Sequence, residues 1–179
     1  ARGQGEPLTS KLTPPAGSRF VEVLMGEDRQ PILLASQHGY GFISLLDSLE
    51  SNAKAGKSVV NLPERVEMLP VLRIPEGADR VAVLASSGRL LVYPLADLPV
   101  MSKGKGNKLI QIPPAKLKSG EEKVTAIACV RQGGELTLYC GARKITLSWR
   151  DLQAYEGARA SRGHSLPRGF QRVDSVESN

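Results

Sequence analysis

The chain has 179 residues, 41% apolar and 23% charged, with a formal net charge of +6, enough length for one substantial core. No run reaches the about 18 apolar residues of a membrane-spanning helix and no leader pattern opens the sequence, so the chain reads as a soluble, intracellular protein with no membrane insertion. Two cysteines rule out a disulfide framework, and two histidines 126 residues apart with no acidic or thiol cluster at ligand spacing rule out a metal site.

Residues 1–15, ARGQGEPLTSKLTPP, form a basic, glycine-bearing stretch that closes on an apolar residue and Pro. The runs FVEVLM (20–25), PILLAS (31–36) and GFISLL (41–46) read as strands, being short, rich in β-branched residues and bounded by Gly, Pro, Asp and Ser. A second basic stretch, NAKAGKSVVNLPE (52–64), follows, then the strands RVAVLAS (80–86) and RLLVYPL (89–95) and a third basic stretch, KGKGNKLIQIPP (103–114). KVTAIACV (123–130), ELTLYC (135–140) and RKITLSW (143–149) are the last predicted strands, before a fourth basic stretch, EGARASRGHSLPRG (156–169). A hairpin turning at Gly133-Gly134 would pair Cys129 with Leu138 and Cys140 with Ile127, making the thiols diagonal neighbours and both reduced, small core residues. No helix longer than a turn or two is predicted.

The basic stretches are copies. Pro63, Pro113 and Pro167 fall 50 and 54 residues apart and Pro14 lies 49 before the first, which is the period of a four-stranded blade. Leu49, Leu98 and Leu152 precede the apolar-Pro step by 13, 14 and 14 residues. The fold expected is all-β and propeller-like, about three to three and a half blades of ~50 residues. Residues 1–15 read as the tail of a preceding blade, and 16–64, 65–114 and 115–179 as blades; the front of the first unit falls upstream of residue 1, as in a fragment.

Charge is unevenly placed. Residues 1–100 carry 10 Lys/Arg against 11 Asp/Glu, residues 101–179 carry 14 against 7, so the net charge arises in the second half. Its cations recur within the unit: Lys54 and Lys57, then Lys103, Lys105 and Lys108, then Arg159, Arg162 and Arg168, flanked by Lys11 and Arg172. One Lys/Gly stretch alone is ordinarily a solvated turn. Recurrence in register is not required for solubility, and cations interleaved with glycine let backbone N–H groups and side chains approach phosphates without reading bases. Duplex DNA is the expected partner, with the 103–108 loop first in importance, the 159–172 arginines second and Lys54 with Lys57 third. A second reading stays open, a propeller-like protein-interaction module whose basic rim binds acidic partners.

No feature points to catalysis. Ser36 and Ser86 recur beside Gly39 and Gly88 as hairpin features without a base. Trp149 reads as a packing anchor in a strand, Tyr40 as a structural residue between two glycines, and neither Tyr139 nor Tyr155 has the surroundings of a nucleophile.

HGYGF (38–42) and DLPVMSKGKGNKLIQIP (97–113), preceded by ARGQGEPLTSKL (1–12) and followed by LPRGFQRVDSVE (166–177), resemble the C-terminal domain of the ParC-type subunit of bacterial DNA topoisomerase IV over essentially the whole chain. The resemblance implies a β-pinwheel, a propeller-like disc whose neighbouring blades exchange strands. The related gyrase subunit carries a box of the form Gln-Arg-Arg-Gly-Gly-Lys-Gly; Ser102-Lys103-Gly104-Lys105-Gly106-Asn107-Lys108 keeps its Lys and Gly character without the Gln-Arg-Arg start. That departure points to topoisomerase IV. The implied role is to bind and bend duplex DNA and steer substrate choice in decatenation, supercoil relaxation and chromosome segregation. Catalysis would lie elsewhere in an ATP-hydrolysing type II topoisomerase, a heterotetramer in which ATP is hydrolysed on a second kind of subunit, in the bacterial cytoplasm at the nucleoid. This chain would hold no cofactor of its own, with ATP and Mg bound elsewhere in the parent, and acidic chromosome-organising proteins are further candidate partners.

Overall fold

The computed structural model describes residues 5–179; residues 1–4, which begin the first basic stretch, lie outside the described residues. In chain order the elements are α1 (Leu8–Lys11), β1 (Pro31–Ala35), β2 (Tyr40–Leu45), β3 (Leu72–Arg73), β4 (Ala78–Ala85), β5 (Arg89–Pro94), β6 (Asn107–Lys108), α2 (Pro114–Ser119), β7 (Val124–Arg131), β8 (Glu135–Cys140), β9 (Arg143–Ser148), α3 (Trp149–Leu152), β10 (His164–Ser165) and β11 (Ser175–Ser178). The strands make three sheets, ordered β3-β1-β2-β6, β10-β5-β4-β7 and β11-β8-β9.

Each sheet grows on one antiparallel hairpin, β1–β2, β4–β5 or β8–β9. The first two hairpins turn through Gln37-His38-Gly39 and Ser86-Ser87-Gly88, whose glycines hold φ of 79° and 73°, the left-handed conformation a three-residue hairpin loop needs. A later strand returns to the first strand of each hairpin, β3 to β1, β7 to β4 and β11 to β8. The second strand of a hairpin is covered by a segment arriving from beyond the following hairpin, β6 on β2 and β10 on β5. Sheet one therefore takes β1 and β2 from residues 16–64 but β3 and β6 from 65–114, and sheet two is divided the same way between 65–114 and 115–179. This is a β-pinwheel with exchanged strands.

Period-2 alternation decides the packing. Leu33, Ala35 and Ile43 of sheet one meet Val81, Val83, Ala85, Leu91 and Tyr93 of sheet two. The opposite face of sheet two, Ala82, Leu84, Leu90 and Val92, packs on Leu136, Leu138 and Leu147 of sheet three. Sheet two is covered on both faces, which is why its strands are almost unbroken apolar runs. The far face of sheet three is polar: Thr137 and Thr146 pair their hydroxyls at 3.0 Å, and Tyr139 donates to Glu177 at 2.7 Å. The far face of sheet one is apolar, with Ile32, Leu34 and Phe42 against Leu24, Val59, Val60, Met68 and Met101. Leu98 and Leu152 are buried anchors of the repeat, and Leu49 is half-buried.

Three expectations are corrected. Residues 20–25 are not a strand: no hairpin in the described residues offers them an edge, and Val21, Val23 and Met25 stand 76%, 68% and 76% exposed. β7 and β8 do not pair across Gly133-Gly134, because β4 offers β7 a longer apolar partner; Cys129 lies opposite Val81 and Cys140 opposite Arg143. Both cysteines are free, Cys129 buried and Cys140 half-buried, and burial pushes the Cys129 thiol up to about 12. Trp149 opens α3 rather than ending β9, because Ser148 caps a helical turn reciprocally with Asp151. It still packs on the core and carries the Arg80 guanidinium 5.5 Å over its ring.

Candidate nucleic-acid interface

β3, β7 and β11 converge on one apolar cavity lined by Leu33, Leu69, Leu72, Ala126, Ile127 and Val176. β6 and β10 lie at the other edges of their sheets. The third and fourth basic stretches thus supply the edge strands farthest from that hub. The copies are also stitched to one another: Thr13 N–H donates to the Lys54 carbonyl at 2.9 Å, Gly104 N–H to Val59 at 2.8 Å, Asn61 N–H to Gly104 at 2.9 Å, Ala160 N–H to Leu109 at 3.2 Å and Gln111 N–H to Ser161 at 2.8 Å. The four stretches follow one another in a continuous row.

The cations in that row differ in what they face. Lys103 and Lys105 are exposed, and the Lys105 ammonium sits 4.0 Å from the centre of the Tyr40 ring, a cation–π contact that leaves its charge unbalanced. Lys54 is exposed; Lys57 is exposed and donates to the Ser48 carbonyl at 2.7 Å. Lys108 is half-buried and donates to Gln111 Oε1 at 3.1 Å, while its carbonyl accepts from Arg159 at 2.7 Å. Arg162 makes a two-pronged pair with Glu122, at 2.5 and 2.8 Å, and a 3.1 Å bond to the Gln111 carbonyl. Glu122 is 1% exposed and also accepts from Ser87 Oγ at 2.5 Å. Arg168 and Arg172 are exposed beside sheet three, and Lys11 pairs with Glu6 at 2.9 Å. The row brings Lys54, Lys57, Lys103 and Lys105 together as outward cations, whereas Lys108, Arg159 and Arg162 hold neighbouring segments in place.

Among the described residues no group of three or more His, Cys, Asp or Glu is arranged to hold a metal. Among the same residues no helix is long and apolar enough to cross a membrane.

The family described as DNA gyrase C-terminal domain, beta-propeller, matches at residues 30–84 and 79–131. The C-terminal domain of Escherichia coli ParC superposes with a TM-score of 0.90 at 42% identity, over 99% of this chain and 72% of that one. The chain belongs to the DNA gyrase C-terminal domain family. The ParC subunit of Escherichia coli DNA topoisomerase 4 is 43% identical over 99% of this chain, and its Pseudomonas aeruginosa equivalent is 44% identical over 98%. The chain spans 23% and 24% of the length of these two relatives.

For this member of the gyrase C-terminal family, the structural register of the repeat differs from the one the prolines set. β6 and β10 are equivalent through Leu109 N–H on the Gly39 carbonyl at 2.7 Å and Leu166 N–H on the Gly88 carbonyl at 2.9 Å, a step of 57 residues rather than 54. Gly106 and Gly163 hold φ of 80° and 73°, and a Cβ on either would run into the carbonyl of Gly41 or Leu90. The working motif is therefore Gly-x-x-apolar: Gly106 to Leu109, Gly163 to Leu166, with the same spacing at Gly56 to Val59 and Gly5 to Leu8. That signal was in the sequence, masked by the more conspicuous Lys and Pro. Glu122 carried no local signal, since its partner lies 40 residues away.

Proposed function

We propose that this chain is the DNA-holding part of the ParC subunit of a topoisomerase IV, gripping duplex phosphates along the row of outer-edge segments. The observation that carries the reading is the placement of the third and fourth copies at the sheet edges farthest from the hub, with the second copy hydrogen-bonded onto the third, and with Lys54, Lys57, Lys103 and Lys105 exposed. Curving 20–30 bp by 40–90° costs on the order of 1–6 kcal/mol, which phosphate contacts spread along an arc can offset. Among the described residues no helix offers itself to a groove, so sequence preference is expected to be weak. In the parent protein this domain would present DNA to a cleavage centre elsewhere, steer decatenation, supercoil relaxation and chromosome segregation, and sit in a heterotetramer with the ATP-hydrolysing ParE subunit in the bacterial cytoplasm. ATP and Mg would bind in those other parts. The acidic-partner reading uses the same surface.

Equilibrium binding to a ~30 bp duplex over a salt series tests this, since each phosphate contact contributes a slope of about −0.9 in log K against log salt. Lys103→Glu with Lys105→Glu is expected to weaken binding and flatten the slope by about 2. Absence of binding at low salt, with retention of an acidic peptide, would transfer the surface to the protein-interaction reading.

A further inference from the structure

Sheets one and two present the same local construction with one difference. In each, an outer segment crosses the hairpin turn with a glycine in the left-handed conformation, Gly106 or Gly163, and the residue before that glycine is a cation, Lys105 or Arg162. A third segment closes the site: Gln37 N–H donates to the Glu67 carbonyl at 3.0 Å in sheet one, and Ser86 N–H to the Lys123 carbonyl at 2.8 Å in sheet two. These matched bonds make Glu67 the counterpart of Lys123, and so Val66 the counterpart of Glu122 and His38 that of Ser87.

In sheet two the closing segment carries a buried carboxylate, and Arg162 is fixed on it with its charge cancelled. In sheet one the closing segment carries Val66, and among the described residues no carboxylate pairs with Lys105, which leans on the Tyr40 ring and stays exposed. The two sites share a backbone and differ in electrostatic output.

We infer that the residue at position 66 or 122 decides whether its blade's cation reaches DNA: Val66 leaves Lys105 available to a phosphate, and Glu122 withholds Arg162. The inference rests on the DNA-holding reading and deepens it by naming the residues that set where along the row the duplex is gripped. A desolvated carboxylate within hydrogen-bond reach outcompetes a mobile phosphate, because the acid is already held by Ser87 and the cation need not be reoriented. An exposed ammonium over an aromatic face keeps its charge and gives up little on turning to a phosphate.

The test is duplex binding by anisotropy over a salt series, on protein shown by its unfolding transition to be folded at the assay temperature. Val66→Glu is expected to weaken binding and reduce the slope by about 0.9, Lys105→Gln to do the same, and the double variant to be no worse than either. Additive losses would mean that the new carboxylate only repels DNA, and would overturn the inference. Glu122→Gln, an isosteric change, is expected to steepen the slope by about 0.9, with Arg162→Gln in that background restoring the parental slope; this pair decides the matter if Val66→Glu does not fold. An unchanged slope in Glu122→Gln overturns it equally. If the unaltered chain shows no salt-dependent binding, the DNA-holding reading itself has failed, an outcome distinct from normal binding with additive variants.

Discussion

Glu122 shows what a single side chain contributes here. Burial opposes its ionisation, but hydrogen bonds from Arg162 and Ser87, with the charges of Arg162 and Lys116, outweigh that and hold its carboxyl below the ordinary 4.5. A carboxyl lowered on folding adds stability that is present above about 4.5 and is lost as pH falls through the lower folded value. The urea midpoint of the parental chain is therefore expected to fall on acidification below pH 4.5, and Glu122→Gln to lose that part of the acid dependence. At neutral pH the same variant should cost about 2 kcal/mol, toward the low end for a broken pair because Arg162 keeps contact with solvent. Parallel stability curves for the two proteins between pH 3 and 6 would remove Glu122 from this role. Sequence reasoning read Arg162 as an outward cation because recurrence of charge is visible along a chain, whereas the carboxylate that cancels it is brought up only by the fold. Lys103 and Lys105 were legible, since a Lys-Gly alternation has no partner to acquire within its own loop.

At the scale of elements, the six strands of the three hairpins and β7 were legible as short β-branched runs bounded by turn residues, and β6 and β10 were not. A two-residue strand has no periodicity to detect; it exists because a glycine lets the backbone close on a hairpin and an apolar residue then drops into the core. Leu109 is fully buried and Leu166 6% exposed, and each donates its N–H to a turn carbonyl. Gly106→Ala combines a disfavoured positive φ with a Cβ driven into the Gly41 carbonyl, so it should destabilise the chain by more than about 1 kcal/mol. Leu109→Ala is expected to cost about 2–5 kcal/mol. Gly120→Ala is the control: it shares the positive φ, at 76°, but nothing lies within 4 Å of its Cβ position. Urea denaturation of the three variants separates strain from collision. Equal losses for Gly106→Ala and Gly120→Ala would show that the close approach of β6 to β2 contributes little.

For the molecule as a whole, the order of strands can be extended one step beyond the three sheets. The β1–β2 and β4–β5 hairpins are each flanked on the hub side by the strand that precedes the next hairpin, and on the outer side by a Gly-x-x-apolar segment from beyond that next hairpin. Residues 20–25 precede the β1–β2 hairpin as β3 precedes β4–β5, and Gly56 to Val59 follow it as β6 follows β4–β5. Both thus stand where the edges of a further sheet would lie, with no central hairpin for it among the described residues. This explains why FVEVLM has the composition of a strand but no partner, why Val21 and Val23 are exposed, and why nothing lies within 4 Å of a Cβ at Gly56, unlike Gly106 and Gly163. It also explains why the outer face of sheet one is apolar when that of sheet three is polar. A hairpin supplied by sequence upstream of residue 1 would pair with both segments and cover the exposed Val21, Val23 and Met25 beside that face. Hydrogen exchange on a chain extended upstream is expected to slow the amides of 20–25 and 57–60 by at least about tenfold relative to the 179-residue chain, while β4 and β5, already covered on both faces, change little. Unchanged exchange at 20–25 in the longer chain would mean that the segment is an open strap, and that the apolar face of sheet one is covered by something other than a blade.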